Sequence, residues 1–319
     1  MAKNKTASEI PQKFRDRYDR IVDDPEEFYA SLARPLPKAF RVNTLKAEAR
    51  KATERLAGYG MGIRPVEWYD AAFIAEGEAG RKIGSTLEHF MGHIYIQELV
   101  SMLPPLLLKK KIEENPDLAV LDACAAPGSK TTQLAALMGN RDLIVANDVA
   151  FGRLKIIKHN LEKLGCMNTV VINRDVRFFS PDVQFDCILL DVPCSSEGTL
   201  RKNPEIIARW SEKAIASLSN IQRQMITRCC DMLKPGGTMV YSTCTFAPEE
   251  NEAVIDYLIE KKSCALEPVR IPGLKTAETV REWNGREFHH EVGKAVRIWP
   301  HHNDTGGFFI AKIRKSEAI

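Results

Sequence analysis

From Leu118 onward, short apolar segments alternate with longer segments of helical pattern, and this alternation limits the possible folds more than any other feature. The segments predicted as strands are 118–122, 142–147, 169–173, 185–190 and 237–242. The predicted helices are 129–138, 151–164, 205–233 and 249–261. Such alternation is typical of βαβ units, in which helices cover a mostly parallel sheet. Two more strand signals follow, near 266–270 and 306–313.

The residues before this region predict a separate, smaller α/β unit. Residues up to about 35 have a helical pattern, and the run K-A-F-R-V-N-T-L predicts a strand. A polar helix over about 46–56 and a second strand-like stretch, G-I-R-P-V-E-W-Y, follow it. We therefore expect an N-terminal domain over 1–80 and a larger domain over 81–319, with the boundary open within 81–115.

Positive charge is concentrated in the N-terminal segment. The first 60 residues contain 13 Lys and Arg against 9 Asp and Glu, whereas the whole chain has a net charge of only +3. A basic segment of this kind suits the phosphate backbone of a nucleic acid. The charged surface of a solvated helix explains the same excess almost as well.

Composition excludes several classes of protein. No apolar run approaches the roughly 20 residues that span a bilayer, and the first residues have no apolar signal core. Eight cysteines in 319 residues do not form a disulfide scaffold, and no C-x-x-C motif indicates zinc. We interpret the pairs His289-His290 and His301-His302 as loop residues, not metal ligands. The chain is therefore predicted to be cytoplasmic, with no membrane and no metal partner.

The first strand of the alternating region leads into a distinctive turn, D-A-C-A-A-P-G-S-K-T. Gly128 allows the backbone to turn tightly and to approach a ligand closely. The helix that follows presents its positive amino end to the same place. The turn has one glycine, so it is not a G-x-G-x-x-G fingerprint, and Ser129 separates Gly128 from Lys130, so it is not a P-loop.

Acidic residues follow the next three predicted strands. Asp148, Asp175 and Asp191 would meet at one edge of a parallel sheet. Asp148 is well placed to bind the hydroxyl groups of a ribose, and the set would repel a pyrophosphate or a triphosphate. S-adenosylmethionine fits, because it combines a nucleoside with a sulfonium cation and has no phosphate. The alternative is that these acids only cap helices.

Cys194 and Cys244 each follow a predicted buried strand. Two thiols at the carboxyl edge of a sheet suggest covalent chemistry, although free cysteines are also common in protein cores. C5 of a pyrimidine is a poor nucleophile until a thiolate adds to C6. Asp191 could then protonate N3 of the cytosine. Pro248 is predicted to begin a helix whose amino end favours the Cys244 thiolate, whereas an inward Glu249 or Glu250 would oppose it.

These motifs together resemble the RNA (cytosine-5) methyltransferases of the Sun family, the RsmB/NSUN-type enzymes, and in particular an archaeal-type tRNA enzyme. The resemblance covers most of the chain. It rests on F-R-V-N-T-L, I-Y-I-Q-E, D-A-C-A-A-P-G-S-K-T, A-N-D, N-R-D, D-V-P-C-S-S-E-G-T-L-R-K-N-P, Y-S-T-C-T-F-A-P-E-E-N-E and T-G-G-F-F-I-A-K-I. The pair of cysteine motifs is the most specific part.

The resemblance implies a Rossmann-like class I methyltransferase fold, a seven-stranded, mostly parallel sheet whose last strand is antiparallel. It also implies a small N-terminal α/β RNA-binding domain before it. Cys244 would be the nucleophile, Cys194 would assist product release, and Asp191 would also face the cytosine. The residues implied to contact S-adenosylmethionine are Cys124, Ala125, Ala126, Pro127, Gly128, Ser129, Lys130, Asp148, Arg153, Asp175 and Asp191. RNA is the implied partner, tRNA before rRNA, and we expect a monomer.

Three alternatives remain open at this point. The substrate could be rRNA. A DNA cytosine-5 methyltransferase also takes its nucleophile from a Pro-Cys after the fourth strand, but the second thiol would then be unexplained. The chain could also be a non-catalytic RNA-binding or ribosome-assembly protein that kept the fold. Lys202 is a candidate phosphate contact, whereas Phe308 and Phe309 are predicted to fill the core.

Overall fold

A computed structural model describes residues 10–317, and its first sheet is a small antiparallel one. The strand order is β2-β3-β1-β4. These strands are β1 Lys38–Val42, β2 Gly62–Pro65, β3 Ala72–Glu76 and β4 Ile94–Ile96. The helices of this part are α1 Gln12–Tyr18, α2 Pro25–Ala33, α3 Ala49–Gly58, α4 Gly77–Gly80 and α5 Leu87–Phe90.

The N-terminal unit does not end at residue 80. Strand β4 pairs with β1, with Ile96 opposite Phe40 and Ile94 opposite Val42. Ile94 is fully buried with Phe40 in the core of this small sheet. The sequence left the boundary open within 81–115, and the pairing of β4 extends the small sheet to Ile96.

Helices α1 and α2 pack away from the small sheet. Phe14 and Tyr18 of α1 and Phe28 of α2 share one aromatic cluster with Phe246 and Trp299 from the far end of the chain. All five side chains are buried. Helices α1 and α2 thus share a core with the larger domain, because their apolar faces are covered by residues distant in sequence.

The second sheet has seven strands in the order β10-β14-β9-β8-β5-β6-β7. They are β5 Ala119–Asp122, β6 Leu143–Asn147, β7 Thr169–Ile172, β8 Phe185–Asp191, β9 Leu233–Thr243, β10 Cys264–Glu267 and β14 Phe308–Lys315. β14 runs antiparallel to both neighbours in this order, and the pairs among β5 to β9 are parallel. The predicted seven-stranded, mostly parallel sheet is confirmed. An eighth short strand, β13 Val296–Ile298, pairs with β14, and β11 Glu282–Trp283 forms a hairpin with β12 Arg286–Glu287.

Helices cover both faces of this sheet. They are α6 Leu103–Glu114, α7 Ser129–Leu137, α8 Phe151–Leu164, α9 Ile206–Arg209, α10 Glu212–Met232, α11 Glu252–Lys261 and α12 Pro300–Asn303. Successive strand residues point to opposite faces, so Val120 packs in the cluster that contains α6 and α7, whereas Leu121 packs in the cluster that contains α10 and α11. Each face thus has its own buried layer.

Two predicted helix bounds differ from the structure. The predicted helix over 205–233 is two helices, because Ser211 caps α10 by accepting a hydrogen bond from the main-chain N–H of Ala214 at 3.2 Å. Pro104 and Pro105 lie in the first turn of α6, where proline is tolerated, so they do not bend it. Pro248 lies in a turn before α11, not at its first residue.

Among residues 10–317, the structure contains no helix that combines the length and apolarity needed to cross a bilayer.

Candidate active site

The two thiols predicted from the strand ends meet in the structure. β8 and β9 are parallel neighbours, with Asp191 opposite Ser242 at their carboxyl ends. The chain therefore delivers Cys194, just past β8, beside Cys244, just past β9. Their Sγ atoms lie 3.4 Å apart and both side chains are partly exposed. Neither cysteine is sealed in the core, which was the alternative that the sequence left open.

The two thiols are close enough to form a hydrogen bond, and either sulfur can be the donor. A hydrogen bond to Cys244, burial and the charges of Cys244 and Glu250 raise the pKa of Cys194 well above its ordinary value. Cys194 therefore stays a thiol at neutral pH. Because the thiolate is the nucleophilic form of cysteine, the raised pKa argues against Cys194 as the nucleophile.

Asp191 is held between a cation and a hydroxyl group. Its Oδ2 accepts a hydrogen bond from Lys130 Nζ at 2.7 Å, and its Oδ1 accepts one from Ser242 Oγ at 2.6 Å. Lys130 also donates to Ser101 Oγ at 3.0 Å. Burial opposes the charge on Lys130, but the Asp191 carboxylate and the nearby Asp122 and Cys244 raise the pKa of its amine. The pair thus carries its proton on Nζ, close to the two thiols.

A cavity of about 300 Å³ lies at this edge of the sheet. The predicted residues in its wall are Cys124, Ala125, Ala126, Pro127, Ser129, Lys130 and Asp191. Gly128 closes the turn that contains them and precedes α7 with φ of 99°, a left-handed conformation that favours glycine. The P-G-S-K turn therefore presents main-chain atoms and the Lys130 ammonium group to the cavity, as its composition suggested.

Asp122, which the sequence analysis did not single out, makes the cavity suitable for a cationic ligand. Its Oδ2 accepts a hydrogen bond from Thr131 Oγ1 at 2.6 Å, but its buried Oδ1 has no partner among the residues that the structure describes. Burial, reinforced by the charge of Asp191, raises the pKa of Asp122 to about 7. A buried oxygen without a partner is costly, and an amine or other cation in the cavity would satisfy it.

Asp148 and Arg153 lie next to this cavity and not in its wall. Asp148 accepts hydrogen bonds from the main-chain N–H of Ala126 at 3.1 Å and of Ala150 at 2.9 Å. Arg153 donates to the carbonyl oxygen of Ala126 at 2.5 Å. Both residues therefore fix the position of Ala126, which does line the cavity. Asp148 therefore has a structural role in addition to any contact with a ligand.

Asp175 is not brought to the cavity. Its carboxylate is paired with Arg177, whose Nη2 lies 2.6 Å from Oδ2, and this hydrogen bond lowers the pKa of Asp175. The sequence analysis treated the three acids at the strand ends as a negatively charged set. In the structure, Lys130 neutralises Asp191 and Arg177 neutralises Asp175. Asp148 also has a basic partner, although a more distant one, since Arg153 Nη1 lies 3.5 Å from its Oδ2.

The N-terminal sheet contributes the opposite wall of the cavity, which the sequence analysis did not anticipate. Tyr95, Ile96, Gln97, Glu98, Ser101 and Lys202 also line the cavity. Arg41 of β1 is fully buried and donates to Gln97 Oε1 at 3.0 Å and to Thr132 Oγ1 at 2.6 Å. It thereby ties the small sheet to the first turn of α7. The sequence feature that could have indicated this role is the charged Arg41 inside the otherwise apolar stretch A-F-R-V.

Of the two basic residues that follow the Cys194 loop, Arg201 has a structural role. Arg201 is buried and donates to the carbonyl oxygens of Arg34, Pro35 and Thr305 and to Asp304 Oδ1. It joins the Cys194 loop to the end of α2 and to the segment before β14. Lys202, by contrast, reaches the cavity, which keeps it available as the predicted phosphate contact.

His301 and His302 lie on α12 and not in a loop. Their Nε2 atoms are hydrogen-bonded to Asp23 Oδ1 and Oδ2 at 2.9 and 2.7 Å. These three side chains are close enough to one another to hold a metal ion. However, metal-bound histidines almost always donate their second ring N–H, and both Nδ1 atoms are buried without a partner. We therefore interpret the group as a hydrogen-bonded contact between the N-terminal helices and α12.

The sheet order, the single antiparallel strand and the ligand turn after the first strand of the sheet define a class I methyltransferase. The family model of the 16S rRNA methyltransferase RsmB/F matches residues 106–314. The model of the N-terminal domain of 16S rRNA methyltransferase RsmF matches residues 10–99. The chain therefore belongs to the RsmB/F methyltransferase family, and the resemblance to RNA cytosine-5 methyltransferases is confirmed.

Known relatives include enzymes for two kinds of RNA. A tRNA (cytosine(49)-C(5))-methyltransferase of Pyrococcus abyssi is 41% identical over 96% of this chain and 96% of its own. The ribosomal RNA small subunit methyltransferase F of Vibrio campbellii is 40% identical over 97% of this chain, but the match spans only 64% of that protein. A crystal structure of a methyltransferase homolog from Pyrococcus horikoshii, 35% identical, superposes with a TM-score of 0.83 over 96% of this chain and 95% of that one.

Proposed function

We propose that this enzyme transfers a methyl group from S-adenosylmethionine to C5 of a cytosine in tRNA, through a covalent bond between Cys244 Sγ and C6 of the base. The observation that carries this proposal is the pair of thiols 3.4 Å apart, next to the Lys130–Asp191 pair at the carboxyl edge of the sheet. A methyltransferase acting on an amine needs no nucleophilic thiol, and this site has two.

The methyl donor fits the cavity by its chemistry. Asp122 and the Cys124–Lys130 turn would hold its cationic and amino groups, and Asp148 and Arg153 would keep the turn in place. The unpaired Asp122 Oδ1 supports this assignment, since the donor supplies both a sulfonium cation and an amine. When bound, the donor supplies an electrophilic methyl group. Asp175 belongs to this set only by family resemblance.

The residues of this chain would act in a fixed order. Cys244 forms a bond to C6, and the electron pair displaced from the ring is neutralised at N3 by a proton from the Lys130–Asp191 pair. C5 thereby becomes nucleophilic. After C5 has been methylated, its proton is lost to solvent and the C5–C6 double bond re-forms. The electron pair of the C6–S bond leaves with Cys244, and N3 returns its proton to the Lys130–Asp191 pair. Cys194 is the neighbouring group that assists this step. A base-paired cytosine is inaccessible to these groups, so the target is unpaired or flipped out.

We propose tRNA before rRNA as the substrate, as the sequence motifs suggest. Enzymes for both kinds of RNA are relatives: the tRNA enzyme of Pyrococcus abyssi is 41% identical to this chain and the rRNA enzyme of Vibrio campbellii is 40% identical. The basic N-terminal part, whose small sheet lines the cavity through Tyr95 and Gln97, would bind the RNA. Cytoplasmic location and a monomeric state remain predictions from the sequence.

The substrate can be tested with purified components. We expect the protein to incorporate methyl groups into a tRNA transcript that has a cytosine at position 49, and bisulfite sequencing should locate the product there. Matched transcripts with that cytosine replaced by uridine, a 16S rRNA and a DNA copy of the tRNA serve as controls. Methylation of the rRNA alone would show that the substrate is rRNA and not tRNA. Methylation of the DNA alone would overturn the proposal that the substrate is RNA.

Replacing Asp148 by alanine should weaken binding of the methyl donor by about 10- to 100-fold, because the Ala126 N–H loses its partner and the turn loosens. Isothermal titration calorimetry with S-adenosylmethionine measures this directly. Asp175→Ala is the comparison, since Arg177 occupies that carboxylate away from the cavity wall. An equal loss in both variants would assign Asp175 to the donor site, and no loss in the Asp148 variant would contradict the proposed site.

A further inference from the structure

The residues that directly follow the two reactive cysteines are joined by two buried acids. Ser195 follows Cys194 and Thr245 follows Cys244. Glu197 and Glu250 approach both hydroxyl groups, and both acids are completely buried. Neither the resemblance nor the proposed reaction assigns them a role, yet they connect the loop after β8 to the loop after β9.

Five contacts make this connection. Ser195 Oγ lies 2.6 Å from Glu197 Oε2 and 2.8 Å from Thr245 Oγ1, and it also contacts Glu250 Oε1. Thr245 Oγ1 contacts Glu197 Oε2. The main-chain N–H of Ser195 donates to Glu250 Oε2 at 3.1 Å. Each acid thus reaches the Cys194 loop directly, and Glu197 reaches the Cys244 loop as well.

The remaining partners of the two acids hold them in place from other elements. Tyr18 Oη of α1 and Trp210 Nε1 donate to Glu197 Oε1 at 2.9 and 3.0 Å. Gln222 Nε2 of α10 donates to Glu250 Oε2 at 2.7 Å. All of these donors are neutral, and no ion pair recorded for residues 10–317 includes either acid. Two buried carboxylates side by side without a cation would be strongly unfavourable.

The contacts of Ser195 require a proton on one of the two acids. Ser195 Oγ has a single hydrogen but contacts a carboxyl oxygen of Glu197 and one of Glu250. A carboxylate only accepts, so the second contact needs a hydrogen from a carboxyl group. Burial, and then the charge of Glu197, raises the pKa of Glu250 to about 7, so Glu250 is the acid to which we assign this proton.

We propose that Glu197 and a protonated Glu250 form a carboxyl clamp that positions the Cys194 and Cys244 loops for the covalent step. Both are positioning residues, since they contact neither sulfur in this arrangement but hold the residue next to each. The inference rests on the proposed function, because only a reaction that uses both thiols requires their separation to be fixed. Displacement of a reacting group by about 1 Å commonly costs on the order of 100-fold in rate.

The clamp extends to the N-terminal helices. Tyr18 donates to Glu197 from α1, and α1 is anchored in the larger domain by Phe14 and Phe246. The alignment of the two thiols thus depends on a segment more than 170 residues earlier in the chain, since Tyr18 and Glu197 are separated by 179 positions. This explains why residues before the small sheet are packed against the catalytic loops.

Two substitutions at one position test the clamp. Glu250→Gln supplies a neutral group that can donate to Ser195 Oγ and accept from Gln222, as a protonated glutamate does. We expect its single-turnover rate of RNA adduct formation to remain within about tenfold of wild type, the equivalent of one net hydrogen bond. Glu250→Ala removes both functions, and its rate should fall on the order of 100-fold, with binding of S-adenosylmethionine unchanged by calorimetry.

The control is Glu249→Gln, the same change one position earlier. The side chain of Glu249 contacts Arg17 and Trp283 and no residue of the two cysteine loops. The rate of adduct formation in this variant should therefore change by no more than about twofold. Thermal melting of each variant separates loss of fold from loss of alignment. If Glu250→Ala does not fold, Thr245→Val removes only the hydroxyl group of the clamp and should lower the same rate by about tenfold or more.

The dependence on pH distinguishes positioning from a merely structural role. Besides Glu197, the titratable groups near Glu250 are Cys194, Cys244 and Tyr241. Above about pH 7, Glu250 in the wild type loses its proton and places a second charge beside Glu197. Glutamine cannot ionise. The ratio of the Glu250→Gln rate to the wild-type rate should therefore rise from pH 6 to pH 9.

The outcomes are separable. A folded Glu250→Ala with the wild-type rate would overturn the clamp, as would a Glu250→Gln variant that is as slow as Glu250→Ala or a rate ratio that does not change with pH. Each of these leaves wild-type methylation intact. Wild-type protein that methylates no cytosine would instead overturn the proposed function, and the clamp with it.

Discussion

Replacing Cys244 by alanine is expected to abolish both methylation and the RNA–protein adduct, with a rate loss of at least ~10⁴-fold. No other described side chain combines a nucleophilic atom with this position at the end of β9. The measurement is transfer of labelled methyl groups to tRNA, together with denaturing electrophoresis of the reaction. Cys244→Ser should also be inactive in practice, because a hydroxyl group is a far weaker nucleophile than a thiolate.

The control for this substitution is Cys166→Ala. Cys166 is another partly exposed cysteine, and burial raises its pKa to about 11, so it remains a thiol at neutral pH. We expect this variant to keep its activity. A Cys244→Ser protein with full turnover would refute the covalent step, because no thiolate would then be available next to Cys194.

Replacing Cys194 by alanine is expected to have a different effect: the RNA–protein adduct should accumulate. Cys244 can still form its bond to C6 and C5 can still be methylated, but the group that assists expulsion of Cys244 is missing. The expected loss of turnover is about 10²- to 10⁴-fold, the range for a lost acid–base group. The adduct should resist denaturant and migrate as a slower band on a gel.

The distance between the sulfur atoms is the physical basis of this expectation. Cys194 Sγ lies 3.4 Å from Cys244 Sγ, and C5 is bonded to the carbon that Cys244 attacks. The raised pKa keeps Cys194 protonated, so its S–H group can donate a proton to the Cys244 sulfur as that sulfur leaves C6. The double variant Cys194→Ala, Cys244→Ala is the control and should form no adduct. An adduct of equal yield in the single Cys244→Ala protein would mean that the two roles are reversed.

Much of the larger fold was predictable, because each βα unit is defined by local periodicity. The strands over 118–122 and 142–147 and the helix over 151–164 lie where the pattern predicted them. The failures came from tertiary context. The sheet to which strand β4 belongs is decided by its pairing with β1. The break before α10 depends on one capping residue, Ser211, and the packing of α1 on Phe246 joins segments that no local pattern connects.

The amino-acid sequence by itself determined which groups reach the edge of the sheet. The strand pattern and the motifs identified Cys194, Cys244, Asp191 and the turn around Gly128, because a strand's end fixes where the following residues emerge. The tertiary structure alone decided how these groups meet. The register of β8 on β9 sets the distance between the sulfur atoms, Lys130 neutralises Asp191, and the acids Glu197 and Glu250 hold the loops. Contacts between distant segments arise only when the sheet and its helices pack together, so no local pattern could specify them.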